Sequence, residues 1–287
     1  MKTINRIPRT LQTALLLAAL GLPPMACNES AMEQQTATEL TDQQTDRAQT
    51  SIKHGSRLSY TTTKVMVSSN LNNGAKSQTA SDALFKEVQQ VDVFVDNEGK
   101  RCEEFSRLLE HSHKKPGYDP TLVAERTVRN GQTMGFNAAG RLLYATEPSG
   151  AKDGLSSSPA EELLLTCAER SERIQLLLEQ VRNAASSDID MEQLSPNVVR
   201  ITVRDADANG PTTSVTYLNL KYGVPVKVEA YNSQGLLQNS LLQLYKLVDD
   251  VPVLAYEETV GYSTNIDGER VEHKAITHFD NIKLEKF

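Results

Sequence analysis

From Val198 onwards the chain is a near-continuous succession of β-branched and aromatic runs broken only by tight-turn signals, and few folds accommodate such a stretch. The runs are Val198 to Arg204, Ser214 to Lys221, Val224 to Tyr231, Leu236 to Lys246, Val253 to Tyr262 and Val271 to Leu284. Between them stand Asn209-Gly210, Tyr222-Gly223, Ser233-Gln234-Gly235, Asp249-Asp250-Val251-Pro252 and Asn265-Ile266-Asp267-Gly268. Connections this short join antiparallel neighbours, because a parallel pair needs a crossover of a dozen residues or more. A wide antiparallel sheet is therefore expected here.

More sheet is expected upstream. Leu58 to Val67 reads as a strand, and Val91 to Val95 alternates with period two before the turn Asp96 to Gly99. Leu122 to Thr146 reads as a three-stranded meander whose first turn is Asn130-Gly131, the strongest short hairpin signal. Arg101 to Ser112 is expected as a short helix, from the spacing of Cys102, Phe105 and Leu109, with a strand as the alternative. The clearest helix is expected from Ser158, where Ser158-Pro159-Ala160-Glu161 combines a capping box with proline at the first helical position, to about Val181. With that helix to cover it, the economical architecture is α+β: a strongly curved antiparallel half-barrel sheet covered by one or more amphipathic helices.

The phrases Tyr217 to Lys221, Gly223 to Glu229, Tyr231 to Gly235, Leu244-Tyr245-Lys246, Val251-Pro252 and Phe279-Asp280-Asn281-Ile282-Lys283-Leu284 together resemble the ending of the lipoprotein-carrier half-barrel superfamily, that of LolA and LolB. The resemblance spans about residues 198–284 and is one of strands and turns. It implies an unclosed, curved sheet whose concave face is apolar and able to hold acyl chains. The chain departs from the family in its long section 82–160 and in having no tryptophan.

The first residues set the expected location. Lys2, Arg6 and Arg9 precede an apolar stretch from Ala14 to Leu22 that ends at Pro23-Pro24, the order of a secretory signal peptide and too short to span a bilayer. Met25-Ala26-Cys27 resembles the lipobox of bacterial lipoproteins, which implies acylation of Cys27 with a palmitate-type chain; Pro24 stands where that family usually has an aliphatic residue. Ordinary cleavage near Ala26 is the alternative. Asn28 to Thr50 is polar and low in large apolar residues, so it reads as a tether. The expected organisation is thus a signal peptide at 1–26, a lipidated cysteine with its tether at 27–54, and one half-barrel-like domain at 55–287, in the bacterial envelope. Asn28 after the cysteine points to the outer membrane, facing the periplasm.

Loss of residues 1–26 removes three of the 30 basic residues and none of the 37 acidic ones, taking the formal net charge from −7 to −10. That balance argues against a nucleic-acid partner and against electrostatic attachment to anionic lipid. Of three cysteines, Cys102 and Cys167 are left once Cys27 is set aside, and in an oxidising compartment a disulfide between them is expected, with two buried thiols as the alternative.

Constellations with catalytic or metal chemistry are thin. Asp205, Asp207, Asn209 and Gly210 match the first half of a calcium loop, but Thr216 stands where a bidentate glutamate is needed, and a hairpin turn explains them as well. His111 and His113 form at most half a zinc site, and His273 and His278 are an odd number apart, on opposite faces of one strand. No metal, no cofactor and no enzymatic activity is expected. The leading expectation is an envelope lipoprotein that binds or carries lipid or lipoprotein acyl chains in an apolar cavity, with Leu218, Leu220, Val226, Val228, Leu242, Leu244 and Ile276 as candidate contacts. The alternative is an interaction or structural lipoprotein that binds another envelope protein and no lipid.

Overall fold

A computed structural model of the chain describes residues 50–70, 83–97, 101–113, 119–129, 132–146, 165–183, 188–207, 210–264, 268 and 270–287. The signal-like segment, Cys27, the tether up to residue 49 and the Ser158 capping box lie outside the described residues. Described are thirteen strands: β1 (Gly55–Asn70), β2 (Ala83–Asp96), β3 (Cys102–His111), β4 (Glu125–Arg129), β5 (Gln132–Phe136), β6 (Leu142–Ala145), β7 (Ile189–Ser195), β8 (Val198–Asp207), β9 (Gly210–Asn219), β10 (Val224–Tyr231), β11 (Leu237–Val248), β12 (Val251–Thr264) and β13 (Arg270–Lys286). One helix, α1 (Cys167–Asn183), accompanies them among the described residues. The strands form an open antiparallel sheet in the order β6-β5-β4-β3-β2-β1-β13-β12-β11-β10-β9-β8-β7, so the protein is mostly β. The described residues divide into two compact units, one holding residues 165–243 and the other the rest.

In the first unit α1 covers a sheet. Thr166 and Glu169 form a reciprocal capping box at the start of the helix, Thr166 N donating to Glu169 Oε2 at 2.8 Å and Glu169 N to Thr166 Oγ1 at 3.3 Å. Ile174 and Leu178, one turn apart, bury their side chains with Val199, Ile201, Leu218, Val228 and Leu241. Register explains that choice, since Ile201 pairs with Thr216, Val228 with Thr216 and Leu241, and Val199 with Leu218, and direct cross-strand partners share a face. The β9–β10 turn lies directly under the helix. Gly223 has φ +60, and a Cβ there would come within 2.3 Å of the Arg170 backbone, so only glycine fits. Ser171 Oγ donates to the Leu220 carbonyl oxygen at 2.7 Å and fastens the same contact.

The second unit contains β1 to β6, β12, β13 and the end of β11. Its core gathers Leu58, Val91, Val93, Val95, Val251 and Val253, with Tyr60, Cys102, Val248, Ile282 and Leu284 packed around them. The alternation Val91, Val93, Val95 visible in the sequence is the inward face of β2. Within Arg101 to Ser112 stands strand β3 (Cys102–His111), the alternative to the short helix expected: its pairing with β2, from Glu87↔His111 to Val95↔Cys102, supplies a ladder that overrides the weak three-four spacing. The β11–β12 connection is the two-residue turn Asp249-Asp250, both at positive φ (49 and 63), the mirror-image conformation that matches strand twist. Asn281, also at positive φ (54), marks a register shift of β13 against β1 between Ser59 and Thr61.

Candidate functional site

The two faces of the second unit's sheet are chemically distinct. Pairings Leu58↔Val93, Tyr60↔Val91, Val95↔Cys102 and Leu58↔Leu284 put the apolar side chains on one face. No helix among the described residues of this unit lies on it. Burial holds the Tyr60 hydroxyl well above its ordinary range, reinforced by the Glu104 charge. Burial likewise pushes the Cys102 thiol up to about 11, with Glu104 and then Glu103 adding to it.

The opposite face carries two polar rows, Arg57-Phe94-Glu103-Arg129 and Ser59-Asp92-Phe105-Thr127. Arg57 donates to Asp92 Oδ1 from Nε at 3.1 Å and Nη2 at 2.9 Å, and Ser59 Oγ donates to the same oxygen at 2.6 Å. Phe94 meets Phe105 and Phe287 edge-on at 5.7 and 5.8 Å, while Arg129 lies over Phe105 at 4.9 Å. Further along, Tyr256 donates to Glu258 Oε2 at 2.7 Å and Lys274 pairs with that oxygen at 2.7 Å. The hydrogen bond to Glu258, with burial, moves the Tyr256 hydroxyl up to about 12; Lys274 and Tyr256 outweigh the burial of Glu258 and keep its carboxyl below the ordinary range. The first unit repeats the device, with Lys227 Nζ at 2.7 Å from Glu229 and the Tyr217 hydroxyl donating to Glu229 at 3.5 Å. In each of these ladders a tyrosine hydroxyl and a lysine ammonium are held on one carboxylate.

The seven proposed acyl contacts do not gather on one surface. Leu218, Leu220 and Val228 are taken up by packing with α1. Leu242 pairs opposite Lys227, in the row of Tyr217, on the face that α1 does not cover. Val226 is half-buried at the register shift between Pro225 and Lys227. Leu244 is 52% exposed on β11, and Ile276 belongs to the second unit between Val65 and Glu258. The apolar face of β1 and β2 is legible in the sequence as alternation at Val91 to Val95, but an alternating strand alone does not say what covers it.

Cys102 and Cys167 are not bridged, contrary to the disulfide expected. Cys102 packs against the valine cluster of the second unit, and Cys167 is the first residue of α1 in the other unit. Thiol labelling of denatured, unreduced residues 51–287 should therefore take up two labels; uptake of none would restore the bridge. Asp205 and Asp207 lie in strand β8, paired with Thr212 and Gly210 in a hairpin, the alternative that the sequence left open for the calcium-like run. Among the described residues no cluster of three or more histidine, cysteine or acidic side chains is placed to hold a metal. His273 stands between Ser68 and Ser263, at 2.6 Å from Nδ1 and 2.7 Å from Nε2, while His278 meets Tyr256 on the other face, as their odd spacing requires. His111 packs edge-on against Phe85 at 4.9 Å.

No family model matches the sequence, and no curated protein matches it. Solved structures do. A LolA superfamily protein from Nitrosomonas europaea is 8% identical, with 88% of this chain and 96% of that chain covered and a TM-score of 0.34. A candidate outer membrane lipoprotein-sorting protein domain from Vibrio parahaemolyticus is 12% identical, with 80% and 86% covered and a TM-score of 0.37. A DUF1329 family protein from Desulfovibrio piger is 8% identical, with the same shares covered and a TM-score of 0.37.

Proposed function

We propose that this chain is a non-enzymatic lipoprotein of the bacterial envelope, anchored through Cys27 in the outer membrane, that binds or carries acyl chains of lipid or lipoprotein. The observation that carries this reading is the apolar face of the second unit: Leu58, Val91, Val93, Val95, Val251 and Val253 form one contiguous cluster, and no helix among that unit's described residues is committed to it. These six residues are only 1–6% exposed, so an acyl chain reaches them by displacing what covers them, and each methylene it then buries gains about 0.8 kcal/mol. Leu218 and Val228 belong instead to the helix-covered core in this reading. The satisfied tyrosine-carboxylate-lysine ladders support a binding role over catalysis.

The test is binding of a fluorescent fatty acid to residues 51–287, its displacement by phospholipid or lipopeptide, and its weakening by Val93→Arg in a protein with unchanged far-UV spectrum. A second reading, docking of an envelope protein, draws on the exposed Leu244 and Leu247 of β11, at 52% and 48%. Loss of partner capture with Leu244→Arg, and no acyl binding by the unaltered protein, would select it.

A further inference from the structure

Glu103 is the most completely enclosed carboxylate among the described residues, its side chain only 4% exposed, and its donors come from outside the sheet. Ser51, which precedes β1, donates to it twice: from its backbone N to Oε2 at 2.9 Å, and from its hydroxyl to Oε1. Thr50 adds a side-chain hydrogen bond, and its Oγ1 also accepts from Ile52 N at 3.1 Å, which curls the segment back on itself. Arg101 Nη2 donates to Ser51 Oγ at 2.5 Å and lies 3.7 Å from Glu103 Oε1; Arg129 Nε lies 3.7 Å from Oε2. Ile52 is 4% exposed while Ser51, Lys53 and His54 are exposed, so one residue is seated and its neighbours are not. Burial alone would raise the Glu103 carboxyl, but the Ser51 and Thr50 hydrogen bonds and the Arg129 charge outweigh it and hold it below the ordinary range.

Hydrogen bonds to an ionised carboxylate are the strong kind, and a buried carboxylate deprived of them carries a large penalty. Glu103 pairs across the ladder with Phe94 on one side and Arg129 on the other, so the sheet itself offers it one cation and no hydroxyl. We propose that Glu103, with Arg101 and Arg129, is a docking surface on β3 and β4 for residues 50–52 of the same chain. This clasp fixes residues 50–52 on the sheet just ahead of Gly55 and the β1 ladder. It stands independently of the acyl-binding reading and of what is attached to residue 27.

The test is native-state digestion of the whole chain with trypsin, read by mass at each site. Lys53 lies just beyond the clasped residues, so cutting after it requires them to lift, whereas Lys221 in the β9–β10 turn reports on the rest of the fold. Glu103→Gln should raise cleavage after Lys53 at least tenfold, and Ser51→Ala, at an exposed position that removes one donor, about threefold, both with cleavage after Lys221 unchanged. Equal cleavage after Lys53 in all three proteins would overturn the clasp, and so would acceleration at both sites together. Ser51→Ala alone decides the matter if Glu103→Gln does not fold.

Discussion

The two units use the same strand chemistry and dispose of it differently. In the unit of residues 165–243, a helix with two buried residues one turn apart consumes the apolar face of its sheet, and a glycine turn and a serine hydroxyl hold the helix down. In the other unit an equally contiguous valine and leucine cluster lies on a sheet face with no helix among its described residues, while the reverse face is laced by arginine-carboxylate and aromatic contacts. A pattern of apolar strands thus specifies that a face is buried without specifying by what. That difference is why the first unit is read as scaffold and the second as the place to look for a ligand.

The largest effect expected from breaking the scaffold is at Leu218, fully buried beneath α1. Leu218→Ala should cost about 3 kcal/mol. Hydrogen exchange should show the loss in β8 to β10 and not in β1 to β3; loss spread evenly over both regions would mean that the two cores are not separate. Gly223→Ala should cost about 2 kcal/mol, because the new methyl group meets the Arg170 backbone and the left-handed conformation is strained, and the near-native far-UV spectrum should persist with a lowered denaturation midpoint. Thr166→Ala, which removes the capping oxygen, should cost about 1 kcal/mol in chemical denaturation without altering acyl-probe binding. A change in binding there would tie α1 to the ligand and erase the contrast between the units.

Much of the sheet was legible from residue alternation and turn chemistry. Val224 to Tyr231 is β10 with those bounds, and the meander from Leu122 to Thr146 is β4, β5 and β6. Strand β7 was not visible, because Ile189-Asp190-Met191 alternates for only three residues before running into the exposed Glu192 to Ser195. Residues 101–112 misled because Cys102, Phe105 and Leu109 fit a helix by spacing alone, and only the long-range pairing with β2 decides between the two. As for the candidate site, Leu218 and Leu242 look equivalent in sequence, and only register reveals that one faces the helix and the other does not.

The most direct measurement of the central claim is titration of residues 51–287 and their Val93→Arg and Leu218→Ala variants with a fluorescent fatty acid. Saturable binding by the unaltered protein, at least tenfold weaker in folded Val93→Arg and unchanged in folded Leu218→Ala, is the result predicted. Absence of binding by the unaltered protein, or weakening by Leu218→Ala and not by Val93→Arg, would contradict the account.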